Sequence, residues 1–128
     1  MKELISAALE ARRNSYSPYS GYSVGAAILC KDGSIFTGCN VENASYGATM
    51  CAERTALFTA VAAGCRDFEA IAIVGGKADE ADLPYPCGIC RQALSEFCGK
   101  DFKVVVAKST DDFEEHTLGS LLPYSFSL

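Results

Sequence analysis

The sequence predicts an α/β fold, a three-layer α/β/α sandwich in which helices cover both faces of a mixed five-stranded sheet, and three observations predict it. Apolar runs of strand length alternate with helix-forming segments. Their order is helix, strand, strand, helix, strand, helix, strand, strand, short helix. The run from Phe68 to Val74 is apolar throughout, as expected of a central strand covered on both sides. With 128 residues, 49% of them hydrophobic, residues 1–128 suit one compact domain and leave no room for a second core.

The elements are justified in order. In the opening segment Leu4, Ile5, Ala8 and Leu9 fall on one helical face, with Lys2, Glu3, Glu10, Arg12 and Arg13 around it. Pro18 and Gly21 break the chain into a loop over Tyr16–Gly21. Val24–Cys30 is expected as a buried strand, Lys31-Asp32-Gly33 as a hairpin turn, and Ser34–Cys39 as the returning strand. Asn40–Met50 lacks periodicity and should be loop, whereas Cys51–Ala63 is rich in helix formers and is stopped by Gly64. After the central strand, the polar stretch from Gly75 to Pro86 leads into a helix over Cys87–Cys98 closed by Gly99. Lys103–Ala107 is another buried strand, Ser109–Asp112 a turn, Phe113–Thr117 a weaker strand, and Leu118–Leu122 a last helical turn before Pro123. Strands flanking the two cysteine-bearing helices are expected to run parallel, with the hairpins adding antiparallel neighbours.

Charge and composition exclude some functions. A net charge of −5 and a pI near 4.8 oppose binding to a phosphate backbone, so no nucleic-acid partner is expected. The charged first helix is unlike an apolar signal segment, and no apolar run is long enough to span a bilayer. No membrane partner is expected, and a small ligand of little charge fits better. Seven cysteines are many for this length. The number is odd and several lie in apolar runs, so a cytoplasmic, reducing location is expected, with Cys30, Cys39, Cys65 and Cys98 as small buried hydrophobes rather than bridge partners.

The remaining cysteines form two clusters, Cys51-Ala52-Glu53-Arg54 and Pro86-Cys87-Gly88-Ile89-Cys90. Cys87 and Cys90 are three apart at a helix start, where they project from one side and can share a metal ion. Cys51 opens the other helix. Free N–H groups and the positive dipole end favour thiolates at both places. Three sulfurs with an open fourth position and a nearby carboxylate, Glu53, are what a catalytic zinc centre requires. Arg54, and with it Arg91, is placed to draw charge off the sulfurs. A closed structural staple, with Cys98 or Cys39 as the fourth ligand, is the competing arrangement. It has no use for an acid two residues from a ligand.

These residues resemble the zinc-dependent deaminases, whose signature is Cys or His, then Glu, then Pro-Cys-x-x-Cys. More narrowly, Gly38-Cys39-Asn40-Val41-Glu42-Asn43-Ala44-Ser45-Tyr46 and Cys51-Ala52-Glu53-Arg54-Thr55-Ala56 resemble the free-nucleoside cytidine deaminases. The likeness extends through Ser17-Pro18-Tyr19-Ser20, Val24-Gly25-Ala26-Ala27 and Leu121-Leu122-Pro123. It implies the cytidine deaminase-like fold, one Zn2+ per chain on Cys51, Cys87 and Cys90, and attack of zinc-activated water on C4 of cytosine, giving uridine or deoxyuridine and ammonia in pyrimidine salvage. It implies that Glu53 protonates N3, then the departing amine, and hydrogen-bonds the base edge. It further implies that Asn40 and Glu42 hold the ribose 3′-hydroxyl, that Tyr22 packs on the base at a position often held by Phe, and that Ala52 contacts substrate beside Glu53. Short chains with three cysteine ligands resemble the homotetrameric branch, in which a C-terminal aromatic, here Phe126, reaches into a neighbouring subunit's site. A polynucleotide deaminase would need a basic channel that this acidic chain lacks. A blasticidin-type deaminase shares the metal motifs but fits the Asn-x-Glu-Asn loop less well. A zinc module without catalysis is the rival of a different class. His116, the sole histidine, is expected to be structural.

Overall fold

The computed structural model describes residues 1–78 and 80–128. The elements are α1 (Lys2–Arg12), β1 (Tyr22–Cys30), β2 (Ile35–Cys39), a single 3-10 turn (Tyr46–Ala48), α2 (Ala52–Ala62), β3 (Phe68–Lys77), α3 (Gly88–Phe97), β4 (Lys103–Ala107), β5 (Phe113–Thr117) and α4 (Leu118–Leu121). The five strands form one sheet in the order β2-β1-β3-β4-β5. Among the strands of the described residues, only β3 and β4 pair in parallel, joined across α3; the other strand pairs are antiparallel. β2 and β3, which flank α2, point the same way but do not touch, because β1 lies between them.

Alternation along the central strands produces the layers. Ile71 and Ile73 of β3, Ala26 and Ile28 of β1, and Val104 and Val106 of β4 face a core shared with Ala56, Leu57 and Ala60 of α2 and Leu94 of α3. The intervening Ala70, Ala72, Val74, Ala27, Val105 and Ala107 face the second core with Leu4, Ile5 and Ala8 of α1. Helices therefore cover both faces, as the sequence predicts. Small residues on the sheet bring the helices close. A Cβ at Gly38 of β2 would lie 2.5 Å from Ala56 N and 2.8 Å from Ala52 O, so β2 and α2 meet almost backbone to backbone.

Three expectations are corrected. Cys30 and Cys65 are joined by a disulfide that ties the end of β1 to the turn after α2, whereas Cys39 and Cys98 are free, partly exposed thiols rather than fully buried ones. The bridge was not expected because the odd number of cysteines and their apolar surroundings read as free thiols in a reducing location, and spacing alone does not encode which cysteines pair. Gly64 adopts φ +97° after α2 as expected, but Gly99 does not close α3: the helix ends in extended backbone at Cys98. β3 runs past Val74 to Lys77 because Gly75, Gly76 and Lys77 pair with Val24, Ser23 and Tyr22.

The consequence for function is positional. The starts of α2 and α3 and the start of β1 gather where β3 ends, the side of an α/β sheet where ligands bind. Among the described residues, no helix is long and apolar enough to cross a membrane.

Candidate active site

Cys51 and Cys87 are the N-cap residues of α2 and α3, and neither side chain caps its helix by a hydrogen bond. Cys90 follows in the first turn of α3 and is fully buried. The three sulfurs lie within 4.8 Å of one another, with Cys51 Sγ 3.8 Å from Cys87 Sγ and Cys87 Sγ 3.4 Å from Cys90 Sγ. A zinc ion with ligand distances of about 2.3 Å needs sulfurs about 3.8 Å apart in tetrahedral geometry, so the donor set fits the metal in element, number and spacing. Among the described residues no fourth metal-binding side chain joins the group, and Cys39 and Cys98 stand outside it. The closed-staple arrangement is not what this cluster forms.

Charge around the sulfurs is graded. Hydrogen bonding from Cys90 pulls the Cys51 thiol down to about 5, with Arg54 and Cys87 adding to the effect against burial, which opposes it. The bond to Cys51, and then burial, hold the Cys90 thiol far up. Arg54 Nη2 donates to Cys51 Sγ at 3.5 Å, and this contact raises the guanidinium pKa. Arg54 Nε is buried with no hydrogen-bond partner among the described residues. Arg91 behaves differently: its Nε donates to Pro86 O and its Nη1 to Leu121 O, both at 2.7 Å, so it braces backbone instead of relieving the thiolates.

Glu53, the second residue of α2, is only 5% exposed. Burial raises its carboxyl to about 7, and the Cys51 thiolate adds to the rise while its own backbone N–H and Arg54 oppose it. A carboxyl poised near neutrality beside a metal-binding cluster can both take and give a proton.

A cavity of about 520 Å3 lies over these groups. It brings together Tyr22, Asn40, Glu42, Cys51, Ala52 and Glu53, all expected at the site. Asn40 is buried; its Oδ1 accepts from Val24 N at 3.0 Å and from the Ser15 hydroxyl, and its Nδ2 donates to Tyr22 O at 2.8 Å. Glu42 accepts from Tyr19 N, Ser20 N and the Ser20 hydroxyl. Serine bonding holds its carboxyl below the usual range. Tyr22 opens β1, and its hydroxyl lies 3.4 Å from Asp82 Oδ2. Phe126 is not brought there: it is 69% exposed and borders a separate hollow beside α3. The cavity also contains residues that sequence reasoning missed, notably Leu83, Pro84, Tyr85 and Met50. Their only signal was nearness in sequence to Cys87 and Cys51.

Residues 1–108 match the family model of the cytidine and deoxycytidylate deaminase zinc-binding region. The cytidine deaminase of Halalkalibacterium halodurans is 51% identical over 124 residues, 97% of this chain and 92% of that one. The cytidine deaminase of Sporosarcina psychrophila is 46% identical over 127 residues, 99% of this chain and 91% of that one. The crystal structure of cytidine deaminase from Burkholderia pseudomallei superposes with a TM-score of 0.88 at 48% identity, covering 97% of each chain. The zinc named by the family model agrees with a three-sulfur donor set, and one Zn2+ is the cofactor of this chain. Sulfur cluster, buried carboxyl and alignment along nearly the whole length converge, and the chain belongs to the cytidine and deoxycytidylate deaminase family.

Proposed function

We propose that this chain is a cytidine deaminase that hydrolyses the free nucleosides cytidine and 2′-deoxycytidine to uridine and 2′-deoxyuridine with release of ammonia, serving pyrimidine salvage. The observation that carries the reading is Glu53, buried and raised to about 7, at the helix start that also presents Cys51. Residues 1–128 act as one catalytic unit. Cys51, Cys87 and Cys90 would hold the zinc ion; when bound, it supplies the Lewis acidity that makes water a nucleophile at neutral pH. Glu53 takes the proton released from that water, places it on N3 of the pyrimidine, and delivers the second to the departing amino group at C4. Arg54 offsets part of the negative charge of three thiolates around one divalent ion.

The sugar and base readings follow from unused hydrogen-bonding capacity. Asn40 spends one amide hydrogen on Tyr22 O and keeps the other, and Glu42 retains a lone pair on the oxygen that accepts from Ser20. One donor and one acceptor suit the ribose 3′-hydroxyl, which both accepts and donates. Tyr22 packs against the base, and Ala52, with no polar atom on its side chain, lets the ring approach the start of α2. Among the described residues no lysine, arginine or histidine lines the cavity, and Glu42 is anionic, so a 5′-phosphate finds no counter-charge there. Polynucleotides and membranes are not partners of this surface. We also infer a cytoplasmic homotetramer in which Phe126 completes a neighbour's site; the support is its exposure and its absence from the lining of its own cavity.

The test is loss of cytidine absorbance with parallel ammonia detection, before and after zinc chelation. Turnover that disappears with the metal and returns on zinc addition is expected. Zinc-replete protein that releases no ammonia from cytidine or deoxycytidine would overturn the reading.

A further inference from the structure

Tyr85 precedes the Cys87 turn by two residues and lines the cavity with Leu83 and Pro84, yet its hydroxyl is committed elsewhere. It donates to Glu114 Oε1 on β5 at 2.6 Å, the length of a charge-assisted O–H···O− bond. Glu114 is held in turn by His116 Nε2 at 3.0 Å, and the Tyr85 and His116 rings meet edge to face with centroids 5.8 Å apart. Bonding from Tyr85, and then from His116, keeps the Glu114 carboxyl below its ordinary value, so the acceptor stays ionised.

The backbone explains why such an anchor matters. The segment between β3 and α3 is fixed at its start, where Asp82 N donates to Gly75 O at 2.8 Å, and at its end, where Arg91 holds Pro86 O. Between those points, among the described residues, Leu83 N bonds only to the adjacent Asp82 side chain and Tyr85 N only to Leu83 O, so neither ties the wall to the sheet. Leu83 and Pro84 are held by burial, but Tyr85 is 49% exposed. Its phenolic bond to β5 is the link that spans from the cavity wall to the far edge of the sheet.

We propose that Tyr85 is a positioning residue of the substrate cavity: anchored by its hydroxyl to Glu114, it holds its ring and the wall before Cys87 at the width the pyrimidine nucleoside requires. The proposal rests on the deaminase reading of the cavity. It makes Glu114 and His116, remote in sequence from either cysteine cluster, part of substrate binding, and it places the effect in binding rather than in chemistry, since Tyr85 OH faces β5 and not the reacting atoms.

The experiment measures kcat, KM and zinc per chain for Tyr85→Phe, Glu114→Ala, Glu114→Gln and the Tyr85→Phe/Glu114→Ala double variant. One lost hydrogen bond predicts a KM for cytidine raised about 3- to 10-fold in Tyr85→Phe, with kcat and zinc content retained. Glu114→Ala should match it, the double variant should be no worse than either single, and Glu114→Gln, whose neutral amide oxygen still accepts, should raise KM less than Glu114→Ala does. An unchanged KM in Tyr85→Phe, additive losses in the double variant, or a loss confined to zinc content would overturn the proposal. Calorimetric Kd values for cytidine, measured with each substitution on a Glu53→Gln background, report the same ratios without turnover. A parent that binds cytidine but does not deaminate it therefore sinks the functional reading while Tyr85 is still judged.

Discussion

Glu53 carries opposite consequences for stability and for rate. Its carboxyl is raised from about 4.5 in the unfolded chain to about 7 in the fold, chiefly by burial. Between those values the native state binds more protons than the unfolded one, so stability falls as pH rises through the window, by about 3 kcal/mol in all. Above pH 7 the protein carries a buried charge it would be steadier without. In the zinc-stripped protein, Glu53→Gln should therefore melt higher than the parent at pH 8, with the difference gone at pH 4; equal melting curves at pH 8 would refute the burial argument. In the zinc-loaded enzyme the same variant should keep its metal and lose about 10²- to 10⁴-fold in kcat, since proton transfer is removed and ligation is not. Zinc by atomic absorption beside single-turnover rates separates the two. Arg54→Gln removes the 3.5 Å contact to Cys51 Sγ, and a loss of about 10- to 100-fold in zinc affinity or rate is expected. Glu53 was legible as a site candidate from the cysteine cluster it sits in, and Asn40 and Glu42 through the resemblance of the Gly38–Tyr46 run to the cytidine deaminases. Tyr85 was not: a lone aromatic in a polar loop has no periodicity to betray whether it faces solvent or a cavity.

At the scale of elements, α2 is clamped at both ends, and the clamps have different origins. Its N-terminal end meets β2 at Gly38, where a methyl group would collide with Ala56 N and Ala52 O. Gly38→Ala must push the helix start away from the sheet, and that start bears Cys51 and Glu53. A lower Tm together with weaker zinc retention is expected; a lower Tm with unaltered zinc would mean the helix moved as a rigid rod without opening the cluster. Its C-terminal end is tied through Cys65 to Cys30, a bridge spanning 35 residues of sequence. Closing a loop of that size contributes about 4 kcal/mol through the unfolded chain, so Cys65→Ser should lower Tm by roughly 15 °C in the oxidised protein while kcat holds. In a reducing compartment the pair rests as two thiols, and α2 then depends on its core contacts alone. The strands β4 and β5 were predicted to the residue, and α2 and α3 to within one residue at either end. The glycine-rich end of β3 was not, because its extension comes from pairing with β1 rather than from its own side chains.

On the scale of the whole molecule, the cavity wall is assembled from the starts of β1, α2 and α3 and from the loops between them, and no residue of the C-terminal tail reaches it. That tail nevertheless carries Tyr124, Phe126 and Leu128, all strongly exposed. Exposed apolar groups clustered on one short segment are costly in water, which supports the tetramer proposed above. Gln92 Nε2 lies 3.5 Å from Phe126 O, which seats the tail along α3, the helix that also presents Cys87 and Cys90. If Phe126 completes a neighbour's cavity, assembly and affinity are linked: dilution below the subunit dissociation constant should raise KM for cytidine along with the loss of tetramer in sedimentation, and Phe126→Ala should raise KM at every concentration. A monomer that holds full activity at the lowest concentration measured, or a Phe126→Ala variant with unaltered KM, would show instead that each chain's cavity is complete and that the tail packs on its own subunit.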